Sequence, residues 1–184
     1  MEFRPGAEGD LPGVLRLQEL NLVTNLGEEE RKDGFVTTPF TIDQLRALVA
    51  AGGLFVAARD GAVAGYAMAA GWEYWAGRPM FDLMIRRFEG RSCSGVRIDR
   101  VNSYQYGPIC VARDERGKGV FLPLFEAARA GMVERFAVGT TFINKANPRS
   151  FRAHTAKARL EPIDEFEFGG QSFWGLAFPT ARPS

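Results

Sequence analysis

Two glycines one residue apart, Gly117 and Gly119, lie in the run Arg116-Gly-Lys-Gly-Val120, directly ahead of an apolar helical period. A glycine turn between a strand and a helix leaves several backbone N–H groups without carbonyl partners, all aimed with the positive end of the helix dipole. Such a turn is suited to holding an anion. The two common nucleotide turns do not fit. The dinucleotide fingerprint needs a third glycine, and the triphosphate loop needs Ser or Thr directly after Gly-Lys, where Gly119 stands. A plain helix start, in which the glycines only relieve turn strain, remains the competing reading until the neighbouring elements are considered. A second constellation is Asn147-Pro-Arg-Ser-Phe-Arg-Ala-His154, in which Ser150 and His154 are four residues apart and share a helix face. Asn147 followed by Pro148 is equally an ordinary helix cap with proline at the first position. Cys110 has no activating base near it in sequence and reads as a buried strand thiol.

The elements that must position these residues follow from periodicity and turn chemistry. Glu2–Arg4 is a short strand, and Asp10 N-caps a helix on which Leu11, Val14, Leu17 and Leu20 recur at helical spacing. After the polar stretch Gly27–Gly34, Thr41 and Gln44 form a capping box ahead of Leu45, Leu48 and Val49, and this second helix ends near Gly52 and Gly53. Leu54–Arg59 and Ala62–Ala69 flank Asp60-Gly61 as a hairpin, because Asp-Gly tolerates the positive φ angles of a type I′ turn. Met80–Phe88 takes a helical period, whereas Gly90–Ser103 has none and reads as loop. Tyr104–Val111 is a strand running into the glycine turn, and Val120, Leu124, Ala128 and Met132 then share one helical face. Pro123, early in that helix, removes an amide donor and predicts a local bend. Phe136–Ile143 resumes strand, Asn147 opens a helix, and Glu165–Phe168 with Phe173–Phe178 close the chain as a hairpin around Gly169-Gly170. The order is βααβββαβαββ.

With this order in place the sequence resembles the GNAT superfamily of N-acetyltransferases over nearly its whole length. The family's pyrophosphate motif, Arg/Gln-x-x-Gly-x-Gly/Ala, is matched by Arg116 to Phe121 except at the last position, where Phe121 replaces Gly or Ala. A strand like Tyr104–Val111 precedes the motif in the family, and an Asn-x-x-Ser/Ala helix follows the next strand, as Asn147-Pro-Arg-Ser150 does here. The resemblance implies a single α/β domain over 1–184, with a mixed, mostly antiparallel sheet of about seven strands flanked by helices on both faces. It implies acetyl-CoA as cosubstrate without a metal, held by Arg116, Gly117, Lys118, Gly119 and Val120 at the diphosphate and by Asn147 and Ser150 further along. A backbone N–H within Ile109, Cys110 and Val111 would meet the thioester oxygen. Many family members carry a Tyr acid seven residues after the Asn; His154 stands at that offset, where an imidazolium could protonate the departing thiolate. Glu73 and Tyr106 are the bases the resemblance suggests.

In the stretch where the family varies its acceptor wall, Trp72, Glu73, Tyr74, Trp75 and Phe81 gather aromatic surface beside a carboxylate. They suit either a cationic amine, drawn to aromatic faces by roughly 0.5 to 2 kcal/mol, or packing of an irregular segment onto the sheet. Arg86 and Arg87 suit an acceptor anion or a solvated helix face, and Glu28-Glu29-Glu30 a solvated loop or a guide for a cationic acceptor. The alternative function is a non-catalytic acyl-CoA sensor on the same fold, favoured by Phe121 and by the missing Tyr, or an interaction module with a vestigial cleft.

Composition sets the outer bounds. The chain has 184 residues, with 23 Lys plus Arg against 22 Asp plus Glu and 46% hydrophobic residues, which suits one compact domain. A formal charge of +1 without a basic block supplies no phosphate-neutralising stripe, so nucleic acid is not an expected partner. Two cysteines and one histidine build neither a disulfide framework nor a closed zinc site, which fits a reducing cytoplasm. Met1–Asp10 has acidic residues and no apolar core of a signal peptide, and no run approaches the roughly 18 apolar residues of a membrane span. The expected partner is a small-molecule or peptide amine, with a homodimer left open.

Overall fold

The computed structural model describes residues 1–31 and 34–181; residues 32 and 33 of the Gly27–Gly34 stretch lie outside the described residues. Seven strands follow one another across a sheet: β1 (Glu2–Pro5), β2 (Leu54–Arg59), β3 (Ala62–Gly71), β6 (Ser103–Val111), β7 (Val138–Asn144), β9 (Gln171–Pro179) and β8 (Glu161–Phe168). The pair β6–β7 is parallel, while β1–β2, β2–β3, β7–β9 and β8–β9 are antiparallel. This is the mixed, mostly antiparallel sheet that the resemblance implies. The chain packs as two compact units, residues 1–69 with 107–131, and 70–106 with 132 onward; β3 and β6 each pass from one unit to the other.

The first unit holds β1, β2, most of β3 and the end of β6, with α1 (Leu11–Asn21), α2 (Glu28–Arg31), α3 (Ile42–Ala50) and α6 (Phe121–Ala130). Its core joins aliphatic Val14, Leu45, Leu48, Leu54, Val56 and Leu124 to the buried rings of Phe55, Tyr66 and Phe125. The Thr41 side chain accepts from the Gln44 amide while Gln44 Oε1 accepts the Thr41 N–H at 2.9 Å, the reciprocal cap the spacing predicts. Asp60 and Gly61 adopt φ of 51° and 79°, as the tight hairpin requires. Asp10 occupies the residue before α1, but its carboxylate caps no helix amide. It turns back to accept the Ala7 N–H at 2.8 Å and both guanidinium nitrogens of Arg4 at 2.7 and 2.9 Å, which pins β1 to the head of α1. Leu20, placed on the apolar stripe by periodicity, is 61% exposed.

The second unit holds β7, β8, β9 and the start of β6, with α4 (Trp72–Trp75), α5 (Pro79–Phe88) and α7 (Pro148–Arg152), which continues into a π-helical turn over Ala153–Lys157. Within the stretch read as loop, β4 (Ser92–Cys93) and β5 (Val96–Arg97) pair around Ser94 and Gly95, at φ of 47° and 80°. Asp164 on β8 accepts from Arg87 at 2.5 and 3.0 Å and from Arg91 at 2.7 Å, fastening α5 to the sheet. Gly139 on β7 is needed for contact, since a Cβ there would lie 2.2 Å from the Phe178 ring.

Candidate active site

In the first unit the strand β6 delivers the chain into the glycine turn. The Ala112 N–H donates to the Ala64 carbonyl of β3 at 2.8 Å. Alternation along the strand therefore turns the Cys110 amide toward β3 too, and leaves the Ile109 and Val111 amides on the opposite edge. Of the three residues expected to polarise a thioester, Ile109 and Val111 turn their N–H groups to the edge away from β3, and Cys110 does not. Gly107, at φ 106°, precedes a cis bond to Pro108. Burial pushes the Cys110 thiol up to about 12, which leaves it without nucleophilic character at neutral pH.

After Val111 a short 3-10 turn, Arg113–Glu115, leads into the glycines. Gly117 and Gly119 have φ of 82° and 83°, a left-handed conformation that turns the chain tightly without a Cβ clash. The amides of Gly117, Gly119 and Val120 bond no protein acceptor among the described residues, and they stand at the head of α6. Three such donors at the positive end of a helix form an anion cradle. Lys118 is exposed beside it, and its amide donates to the Glu115 carbonyl at 3.3 Å. Arg116 faces away from an exposed ligand role: its Nε donates to the Val111 carbonyl at 3.0 Å and an Nη donates to Asn21 Oδ1 at the end of α1. It braces the base of the turn. Nothing in the sequence pairs Asn21 with Arg116, which lies 95 residues away. The ring of Phe121 stacks toward Phe125 at 6.4 Å, and Pro123 falls in the first turn of α6, where a missing N–H removes no intrahelical bond.

In the second unit Asn147 caps α7, its Oδ1 accepting the Ser150 N–H at 3.1 Å. His154 lies one turn on and is 3% exposed. Its Nδ1 is 2.8 Å from the Ser150 carbonyl, which fixes the proton on Nδ1, and 3.3 Å from Ser150 Oγ. Burial is the main cause that pushes the His154 pKa down to about 4, so the ring is neutral at pH 7. The imidazolium suggested by sequence position is thus a minor form there. Tyr106 packs against His154 with ring centres 5.8 Å apart. Burial raises the Tyr106 pKa well above its ordinary value, so the phenol keeps its proton at neutral pH. Ser150, His154 and Tyr106 are therefore brought together. Glu73 is exposed on α4, its carboxylate folded back over Gly71.

The aromatic acceptor wall does not form. Trp72, Trp75 and Phe81 are 2%, 0% and 4% exposed, with Trp75 and Phe81 stacked at 4.5 Å. The cation over these rings is the chain's own Arg78, 5.9 Å from Tyr74 and 5.7 Å from Trp75. Arg87 is held by Asp164, while Arg86 is exposed. No group of three His, Cys, Asp or Glu residues is placed to hold a metal ion among the described residues, and no described helix is long and apolar enough to cross a membrane.

No protein-family model and no curated protein sequence matches the chain. Solved structures do. A ribosomal-protein-alanine N-acetyltransferase from Brucella melitensis is 19% identical with a TM-score of 0.64, over 97% of this chain and 99% of that one. A GNAT-superfamily phosphinothricin acetyltransferase from Sinorhizobium meliloti, in complex with AcCoA, is 18% identical with a TM-score of 0.65, over 100% and 92%. The ribosomal-protein-S18-alanine N-acetyltransferase of Escherichia coli is 10% identical with a TM-score of 0.63, over 100% and 96%. The fold is that of the GNAT acetyltransferases.

Proposed function

We propose that the protein transfers an acetyl group from acetyl-CoA to a primary amine. The observation that carries this reading is the turn with unbonded amides at Gly117, Gly119 and Val120, at the place in the fold where the resemblance puts a coenzyme diphosphate. The solved neighbours are acetyltransferases, one of them with AcCoA, which supports the same coenzyme here. The diphosphate would sit on these amides, and the thioester would run back along β6. On the edge of β6 away from β3, an Ile109 or Val111 N–H would hold the oxyanion, a contact worth about 3 to 4 kcal/mol in other acyl transfers. The amine nitrogen, having lost one proton, attacks the acetyl carbon. The C–N bond forms, the C–S bond breaks, and coenzyme A leaves as the thiol, with one proton released overall from the starting ammonium. The acceptor class from sequence, a small-molecule or peptide amine, is retained.

The test follows free thiol from acetyl-CoA across a panel of amines. Wild-type protein should release thiol only when an amine is present. Gly119→Val, which forces a β-branched residue into a positive φ, should raise the KM for acetyl-CoA about tenfold or more while leaving the fold intact by circular dichroism. Coenzyme binding without thiol release from any amine would overturn the transfer in favour of an acyl-CoA sensor. The neutral, buried state of His154 is the observation on that side.

A further inference from the structure

Strand β8 is a margin of the seven-strand sheet: β9 lies on one side of it, and no described strand lies on the other. The hairpin register fixes which of its backbone groups face outward. Ser172, opposite Glu167, gives its carbonyl to the Lys145 amide on the β7 side. Glu167 and, by alternation, Glu165 therefore turn their N–H and C=O groups away from β9. Ile163 is the extra residue where the register shifts between Pro162 and Asp164. Outward groups of this kind are a template for any other extended chain.

Two side chains of the same unit close this margin. Arg87, in the last turn of α5, donates to the Glu165 carbonyl at 3.1 Å, and Arg91, just beyond the helix, donates to the Ile163 carbonyl at 2.7 Å. Their bonds to Asp164 would by themselves fasten α5, so these two carbonyl contacts are additional. A planar fork of donors can reach a carboxylate and a carbonyl at once. Both forks are also held from behind: Arg91 Nε donates to the Arg87 carbonyl at 2.9 Å, and the Arg87 guanidinium lies 5.9 Å from the centre of the Phe166 ring. At the start of β8 the turn between β4 and β5 is tied on, with the Ser94 N–H at 3.3 Å from the Glu161 carboxylate and the Ser94 hydroxyl donating to it too. The outward carbonyl of Glu167 has no such cover among the described residues.

We infer that Arg87 and Arg91 form a guard that keeps a second extended chain from adding to β8. Glu161, Glu165 and Glu167 make the strand acidic, and like charges across a strand pair repel, so the chain that the guard turns away is a basic one. The guard is independent of the acetyl-transfer reading.

The experiment follows a fluorescently labelled peptide of alternating lysine and valine by anisotropy as protein is added. Arg87→Met is combined with Arg91→Met and with Asp164→Asn, the last so that no buried carboxylate is left unpaired. This variant should bind the peptide about tenfold tighter than wild type does, with slowed hydrogen exchange at the amides of residues 163–167. Arg91→Met alone keeps the Arg87–Asp164 pair, and with it the circular dichroism of wild type, and should show a smaller gain in the same direction. The same peptide methylated on every backbone nitrogen keeps its charge but cannot form a ladder, so it should gain nothing. Binding by both variants no tighter than by wild type, an equal gain for the methylated peptide, or tighter binding without slowed exchange on β8 would overturn the inference. Where the triple variant does not fold, Arg91→Met decides by the same readings.

Discussion

His154 carries its imidazole into a site where only the uncharged ring is stable, and this makes it a source of acid sensitivity. The unfolded chain takes up a proton near the ordinary pKa of 6.5, whereas the folded ring resists until about 4. The folded state thus binds fewer protons across that window. Stability is complete above about pH 6.5 and is lost as pH falls toward 4, by about 2 to 3 kcal/mol between pH 7.5 and 4.5. Urea unfolding of wild type and His154→Gln at both pH values should show this slope in the first and its removal in the second. An equal slope in both would mean that His154 does not carry it. Asp10, whose carboxyl is pushed down chiefly by its hydrogen bonds to Arg4, adds a further loss only at more acid pH, and it does so in both proteins.

Short-range devices set the individual elements, and they explain what could be read in advance. The capping box of α3 has its two partners three residues apart, so Thr41→Ala should cost about 1 kcal/mol, seen as a drop of roughly 2 to 4 °C in melting temperature. A change within experimental error would show that the cap contributes nothing. The Asp60-Gly61 hairpin and the glycine turn were legible for the same reason, because each depends on local backbone chemistry. Ser94-Gly95 offered the same kind of signal, yet strands of two residues are too short to show a period. What depends on distant partners was hidden. Arg87 and Asp164 are 77 residues apart, and Arg113 and Glu30 are 83 apart. Burial of Trp72, Trp75 and Phe81 was hidden too, since a run of aromatic residues reads alike as a wall or as a core. For the site, the glycine turn was legible, but the protonation of His154 was not.

The chain passes between its two compact units at residues 69/70, 106/107 and 131/132, and the first two passages fall inside β3 and β6. A strand cannot lose half its hydrogen-bonded length without weakening the remainder, so we expect the whole chain to melt as one domain. Calorimetry should give one transition with equal calorimetric and van't Hoff enthalpies. Acetyl-CoA at about 100 times its Kd should stabilise that transition by about 2.7 kcal/mol, an upward shift of roughly 5 to 10 °C. Two resolved transitions would overturn the single domain, and an unshifted melt would remove the coenzyme from the proposal.

All three tryptophans, Trp72, Trp75 and Trp174, belong to the second unit. Indole emission therefore originates in one portion of the polypeptide, and the portion containing the glycine turn carries only the phenol of Tyr66 as an emitter beside its phenylalanines. A fluorophore engineered near α6 would give that region its own voice.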